Sequence, residues 1–251
     1  MITLERQNQI IELLKEKSPS SVRELSKKLF VSQATIRRDL SNMEEQLLIK
    51  RTHGGAFLSV IEQEETGFSF RMNEKLKEKE KIASLALPVI KNYKNIFMDA
   101  SSTTAILAKN ADLNYSTIVT TGMETALSLS KKENNNVLLI GGCVTYGTNS
   151  VSGAITIKQL DNFNFDVAIL SCAGIDKDFY ATDKTIEQSA IKQKVLENSS
   201  LKILLIDSSK FSTTNLSRIC SLGYFDYIIT DKKPNQSVLD FALQNNIKIL
   251  Y

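Results

Sequence analysis

The sequence is short of the residues that most often do chemistry. It has one histidine, His53, and only three cysteines and three prolines in 251 residues. A lone histidine leaves no second imidazole to activate a serine elsewhere. It cannot complete a zinc site either, because the cysteines lack ligand spacing. Cys143, Cys172 and Cys220 are scattered and odd in number, so they read as reduced, mostly buried thiols of a cytoplasmic protein. No apolar run approaches the ~18 residues that a membrane span needs. The opening MITLERQNQI turns polar at its fifth residue, unlike a signal peptide. These shortages leave an expectation of no catalytic residue, no metal, no cofactor and no membrane partner.

What is present is ordinary in bulk and uneven in placement. At 42% hydrophobic and 24% charged, the composition is that of a globular protein, and the length suits two domains, or one with an appendage. Net charge is +3. Residues 1–56 carry 10 Lys and Arg against 7 Asp and Glu, whereas the remainder balances at 21 of each. The whole positive excess therefore sits in the first quarter, where a small polyanion-binding module on a neutral body would put it.

Three helical patterns follow one another there. Ile10, Leu13 and Leu14 recur at i, i+3, i+4 before Ser18-Pro19. Ser21-Val-Arg-Glu24 is a capping box opening a second helix that buries Val22, Leu25 and Leu29. Ser32 can cap a third, SQATIRRDLSNMEEQ, in which Ile36, Leu40 and Met43 share a face at ~100° per residue. Opposite lie Ala34, Thr35, Arg38, Ser41 and Asn42, with Arg37 on the flank. Small residues beside arginine let a helix approach the major groove closely. Gln33 and Arg38 can then reach base edges, Arg37 can neutralise a phosphate, and the helix's amide end favours another. The plainer alternative is a solvated bundle face. LLIKRTHGGAF then alternates and turns at Gly54-Gly55, as a two-stranded wing would, with Lys50 and Arg51 placed for the sugar-phosphate backbone. His53, beside two glycines, reads as a wing contact or a turn hydrogen bonder rather than a catalyst.

Residues 58–68 form a polar, acidic connector without a period. A charged helix is expected from about Arg71, with Pro88 bending or ending it and Lys75 to Lys81 on a solvated face. Short apolar runs then alternate with helical patterns. NIFMDA, STIVTT, NVLLIGG, DVAILSCAG, KILLIDS and DYIITD read as strands; TTAILAKN, METALSLSKK, AITIKQL, KTIEQSAIKQKVLEN and QSVLDFALQNN read as helices. The alternation predicts an α/β domain, a mostly parallel sheet flanked by helices, with ligands at the carboxyl ends of the strands. Those ends are polar: Asp99-Ala-Ser-Ser-Thr-Thr104, Thr120-Thr121-Gly122, Gly141-Gly142, Gly174-Ile175-Asp176 and Asp207-Ser208-Ser209-Lys210. Hydroxyls and free amides at a helix start suit a phosphate, which Lys210 could neutralise. Asp99 and Asp176 could accept hydrogen bonds from sugar hydroxyls. Each string alone could be a capping turn; their recurrence along one edge is the signal.

TIRRDL and HGGA near the start, with DASSTT, LLIGG, FDVAIL followed by GID, IEQSAIKQKV, DSSKF and YIITD beyond, resemble the DeoR family of bacterial sugar-responsive regulators nearly end to end. The resemblance implies a winged helix-turn-helix over 1–57, a linker over 58–74 and an effector-binding α/β sensor domain over 75–251, with the fold of ribose-phosphate isomerases. It makes the helix from Ser32 the recognition helix and His53-Gly54-Gly55 the wing tip. Ser32, Gln33, Ala34, Thr35, Arg37, Arg38 and Ser41 then face DNA, joined by Lys50, Arg51, His53, Gly54 and Gly55. It places Asp99, Ser101, Ser102, Thr103 and Thr104 on the phosphate side of an effector site. Thr121, Gly142, Asp176, Glu187, Lys192 and Lys210 line the rest, although the KTIEQSAIK helix needs surface charges in any case. Three positions depart from the family. Ser101 stands where glycine is common, so it must tolerate a tight backbone or the loop takes another path. Gly122 replaces a usual asparagine, and Tyr180 a usual glycine, where a ring could close part of the pocket or stack on a ligand.

The function implied is a transcriptional regulator, a repressor of sugar-metabolism genes, whose affinity for a double-stranded operator is controlled by a phosphorylated sugar. It would act as a homo-oligomer, dimer or tetramer. Two alternatives remain open. One is a sugar-phosphate isomerase with a DNA-binding appendage, although the segment after Asp176, KDFYATDKT, has no glycine-rich turn to hold an enediolate oxyanion. The other is an effector-independent DNA-binding protein whose second domain only oligomerises.

Overall fold

The computed structural model describes residues 3–45, 48–52, 54–58, 67–113, 115–145 and 147–251. The chain divides into two compact units, Met1–Glu74 and Lys75–Tyr251.

The first unit contains α1 (Thr3–Glu16), β1 (Ser20–Ser21), α2 (Val22–Leu29), α3 (Gln33–Glu45), β2 (Ile49–Arg51), β3 (Gly55–Leu58) and α4 (Phe68–Asn73). The capping box forms as the sequence requires. Ser21 Oγ accepts from Glu24 N–H at 3.2 Å, and Ser21 N–H donates to Glu24 Oε2 at 2.8 Å. Helix α2 ends where Phe30 turns left-handed, with φ 54°. Ser32 then caps α3, its Oγ accepting from Thr35 N–H at 3.1 Å. Ile10, Leu14, Leu25, Ile36, Leu40 and Met43 are fully buried between the three helices. At roughly 1.5–3 kcal/mol for each such side chain, this core is the main force assembling the unit. Strands β2 and β3 pair antiparallel, and β1 adds to the free edge of β3.

The connector differs from its expected form. Instead of one helix from Arg71 there are two, α4 and α5 (Leu76–Ile90), separated by an extended Glu74 and a left-handed Lys75. Phe70, read as connector, packs into the first unit's core. The boundary between the units falls at 74/75, and residues 59–66 lie outside those described. Pro88 does not end α5, which continues to Ile90. Its missing N–H removes one helix bond, the one that the Ser84 carbonyl would otherwise accept. Lys79 is buried rather than solvated.

The second unit continues with β4 (Asn95–Met98), α6 (Ser102–Asn110), β5 (Thr117–Thr120), α7 (Met123–Ser130), β6 (Asn136–Leu139), β7 (Cys143–Thr145), β8 (Ser150–Ser152), α8 (Ala154–Leu160) and β9 (Phe165–Leu170). It ends with β10 (Gly174–Ile175), β11 (Tyr180–Asp183), α9 (Ile186–Glu197), β12 (Ser199–Leu205), β13 (Ser217–Ser221), β14 (Tyr227–Ile229), α10 (Gln236–Gln244) and β15 (Lys248–Leu250). Seven strands form one sheet in the order β15-β14-β12-β9-β4-β5-β6, with every neighbouring pair parallel. Its central strands carry unbroken apolar runs because both faces are covered: Ile96, Phe97, Met98, Val167, Ala168 and Ile169 are all fully buried.

The chain enters this sheet at β4, winds outward through β5 and β6, then returns to β9 on β4's other side. The winding therefore reverses between β4 and β9, and the crevice outside the carboxyl ends of these two strands is where a sheet of this kind takes its ligand. Two smaller elements rim that end of the sheet. Strands β10, β11 and β13 form an antiparallel sheet, and β7 and β8 form a hairpin. The hairpin is stitched to the end of β5. Val151 N–H donates to Thr121 O, and Met123 N–H to Asn149 O, both at 2.9 Å. A side-chain bond at 3.2 Å, from Gln188 Nε2 to Ser150 Oγ, ties it to α9.

Candidate nucleic-acid interface and effector site

On α3 the first two turns present Gln33, Ala34, Arg37 and Arg38 to solvent, with Thr35 and Ser41 half-buried. Arg37 Nη2 lies 3.4 Å from Gln33 Oε1, holding the two side chains along one ridge. Ser32 and Thr35 hydroxyls meet at 2.8 Å, so both serve the cap as well as the exposed face. Lys50 and Arg51 are exposed on β2, and Arg51 N–H donates to Glu44 Oε1 at 3.0 Å, fixing the wing against α3. Gly54 is exposed, whereas Gly55 is buried: a Cβ there would stand 2.1 Å from Ser20 O. Gly55 therefore serves the β1–β3 approach and not the surface. His53 lies outside the described residues.

What orients α3 is barely legible in the sequence. Arg6 on α1 and Asp39 on α3 form a buried pair, Nε to Oδ2 at 2.5 Å and Nη2 to Oδ1 at 3.0 Å. The bond to Asp39 raises the Arg6 pKa against the opposing effect of burial. Two parallel bonds on a planar guanidinium fix direction as well as distance. Asp39 breaks the apolar face of α3, and that interruption was the only available signal.

At the β4–β9 crevice, Asp99 is the organising group. Its Oδ1 accepts from Ser101 N–H at 2.9 Å and from Thr104 Oγ1 at 2.6 Å. Its Oδ2 accepts from Ser171 N–H on the far side of the crevice at 2.8 Å, and Lys192 Nζ lies 3.7 Å away. Ser101 sits at φ −76°, ψ 156°, an extended conformation open to any residue, and its Oγ accepts from Thr104 N–H at 3.1 Å. The feared strain is absent: serine supplies the cap of α6 where glycine would supply none. Beyond that cap, no acceptor among the described residues meets the amides of Ser102 and Thr103. Thr103 Oγ1 is buried and has no hydrogen-bond partner among the described residues.

Gly122 answers to the same loop. A Cβ there would lie 2.9 Å from Ala100 Cα, so the residue's smallness lets the β4 and β5 ends close together. Thr121 is buried, with its carbonyl taken by the hairpin. Gly142 is the seat of another close approach, with Thr156 Oγ1 2.0 Å from its would-be Cβ.

Lys192 is no surface charge. It is buried, hydrogen-bonded to Asp183 and close to Asp99. Burial works against its charge, but the two carboxylates outweigh that and raise its pKa. Glu187, on the same helix, is exposed and apart from this cluster. Lys210 reaches the crevice from the end of β12: Nζ lies 2.9 Å from Cys172 O and 3.4 Å from Ser171 Oγ. Burial pushes the Cys172 thiol up to about 11, which leaves it protonated and a poor nucleophile.

Asp176 is buried at the turn after β10. Its Oδ1 accepts from the N–H groups of Asp178 and Tyr180, both at 2.9 Å, and its Oδ2 from Arg218 Nε at 3.1 Å. Burial alone would raise its pKa, but these donors hold it below the usual carboxylate range. The Tyr180 ring does not stand free. Arg218 lies over it, Cζ 4.2 Å from the centroid. The structure thus gathers Asp99, the Ser101–Thr104 turn, Lys192 and Lys210 at the crevice, with Gly122 packed against the turn. Asp176 forms its own knot with Arg218 and Tyr180, and Glu187 stays outside. No helix among the described residues is long and apolar enough to cross a membrane.

Residues 6–61 match the DeoR-like helix-turn-helix domain and residues 74–232 the DeoR C terminal sensor domain. The chain is 35% identical to the HTH-type transcriptional regulator GolR of Listeria innocua, over 95% of this chain and 94% of that one. It is 33% identical to the glycerol-3-phosphate regulon repressor of Escherichia coli, over 98% and 97%. Among solved structures, ribose 5-phosphate isomerase A of Methanocaldococcus jannaschii aligns over 55% of either chain, with 16% identity and a TM-score of 0.37. That likeness is too remote to bear on activity. Two matched domains in sequence order and two relatives spanning nearly its whole length place the chain in the DeoR family of DNA-binding transcriptional regulators.

Proposed function

We propose that this regulator represses sugar-metabolism genes and that a phosphorylated sugar, held at the β4–β9 crevice, sets its affinity for operator DNA. It works in the cytoplasm as a homo-oligomer and catalyses no reaction. Gln33, Arg37 and Arg38 on α3 read the major groove, while Lys50 and Arg51 hold the backbone beside it. In the crevice the start of α6 receives the phosphate and Lys210 balances its charge.

One observation carries the effector reading: the buried Thr103 hydroxyl, beside two amides at the α6 N-terminus, all three without a partner among the described residues. A buried polar group left unsatisfied costs about 1–3 kcal/mol, a cost that a bound anion would relieve. The state of the acids supports a sensor over an isomerase. A general base needs an oxygen free to take a proton from substrate. Asp99 and Asp176 instead have both oxygens committed to backbone, hydroxyl or cationic donors.

A thermal-shift screen of the full chain against hexose, pentose and triose phosphates tests this. At least one compound should raise the melting temperature and alter operator retention; at a hundredfold excess over Kd the stabilisation is about 2.7 kcal/mol. No shift with any phosphate would leave an effector-independent DNA-binding protein. Turnover of ribose 5-phosphate by the purified chain would revive the isomerase.

A further inference from the structure

In a chain that is 24% charged, residues 134–157 contain no Asp, Glu, Lys, Arg or His. The run is not a buried core segment. It builds β6, the β7–β8 hairpin and the first turn of α8, and much of it faces outward. Leu139 is 46% exposed, Val144 61% and Ile155 66%. These pieces adjoin one another. Thr156 Oγ1 donates to Gly141 O at 3.0 Å, and Gln159 Nε2 does the same, so the start of α8 is seated on the junction between β6 and β7.

Strand β6 is also the last strand of the sheet, with β5 its only strand neighbour among the described residues. Asn136 N–H donates to Ser116 O and Ile140 N–H to Thr120 O, so the even-numbered residues turn their backbone groups inward. Val137 and Leu139 therefore direct theirs outward. At Gly141, the next odd position, Gln159 Oε1 takes the N–H at 3.3 Å. The opposite edge of the sheet, β15, is built differently. It carries Lys248, a charge of the type that discourages strand addition. One edge is guarded and the other is not.

We infer that the face formed by β6, the β7–β8 hairpin and the start of α8 is where a second copy of this chain docks. Charge sign argues for self-association. A surface of one charge sign brought against its own copy across a two-fold axis sets like charges together, whereas this one has none to oppose. Charge depletion around exposed aliphatic side chains is also the composition of an interface centre. Antiparallel pairing of β6 with its copy about Leu138 would join Val137 to the partner's Leu139 and the reverse. That pairing satisfies the outward N–H and C=O groups of both residues. The inference rests on the proposal that the regulator is a homo-oligomer and supplies the surface that makes it one.

The test uses the full chain. Wild type should sediment as a dimer or larger at micromolar concentration. Leu139→Lys and Val144→Glu should each weaken assembly by at least tenfold while keeping the wild-type circular dichroism spectrum. Leu243→Lys, at an exposed apolar position on α10, should leave it unchanged. Wild-type sedimentation by the two folded face variants would overturn the assigned face and leave oligomerisation standing. A wild-type monomer at every concentration would overturn both. Should the variants fail to fold, exposed Cys143 on β7 reports from the unmodified chain. Its maleimide labelling should slow at least tenfold on assembly, and a rate indifferent to assembly would overturn the face.

Discussion

At the scale of single residues, the crevice is built from side chains whose hydrogen-bonding capacity is nearly all spent, which makes the unspent groups informative. Thr103 is the sharpest case. Thr103→Val removes the orphan hydroxyl at constant shape, so stability without effector should stay within about 1 kcal/mol of wild type or rise. The thermal shift from the effector should shrink, with affinity falling about tenfold, or 1.4 kcal/mol. Equal effector affinity in the variant, by titration calorimetry, would remove Thr103 from the site. Ser101 shows how a departure from the family becomes intelligible only in three dimensions. Its identity was readable, but its φ of −76° depends on the path set by Asp99 and could not be read from the string DASSTT. Lys192 marks the opposite limit. Surrounded in sequence by Glu187, Gln188 and Gln193, it looks like any helix-surface lysine. Its burial follows from Asp99 and Asp183, brought to it by β4 and β11.

At the scale of elements, helix ends and helix orientation are fixed by few polar bonds. The α2 cap is one. Lys17, 2.6 Å from Glu24 Oε1, and then the Ser21 bonds lower the Glu24 pKa to about 2. A carboxylate depressed in the folded state contributes stability that is complete above its unfolded value of roughly 4.5. That contribution is lost as pH falls from there through about 2. Glu24→Gln should therefore flatten the fall in unfolding midpoint across this window and change nothing in its shape above pH 5. The Arg6–Asp39 pair is the other. Asp39→Ala leaves a buried guanidinium without its main partner, which should destabilise the first unit by about 3 kcal/mol or more, read by urea denaturation. Legibility followed apolar content in strands and length in helices. The six strands with apolar runs and the five helices between and after them were plain in the sequence, because each strand is a solid apolar run and each helix spans enough positions to show a period. The hairpin strands CVT and SVS, and the short strands GI and YATD, were not. They carry no such run, and these become strands only through partners such as β13, far along the chain. Likewise KIL at the C-terminus is a strand because β14 lies beside it.

At the scale of the whole molecule, two compact units divide the work, and substitutions should divide with them. Arg38→Ala should weaken specific operator binding at least tenfold while leaving the effector's thermal shift intact. Lys210→Ala should do the reverse, binding DNA but no longer responding. Full response in the Lys210 variant, by gel shift with and without effector, would show that its ammonium does not meet the ligand. Operator affinity should also fall steeply with salt, as displaced counterions require. The hairpin joins these levels. Its carbonyl at Asn149 and amide at Val151 hold the same Thr121–Met123 turn that borders the crevice. If copies meet through that hairpin, ligand occupancy and assembly draw on one piece of backbone, and each must change the other's equilibrium by the same factor. The sugar concentration at which genes respond would then depend on how many copies of the regulator the cell holds. The same protein, merely diluted, would answer to a different dose.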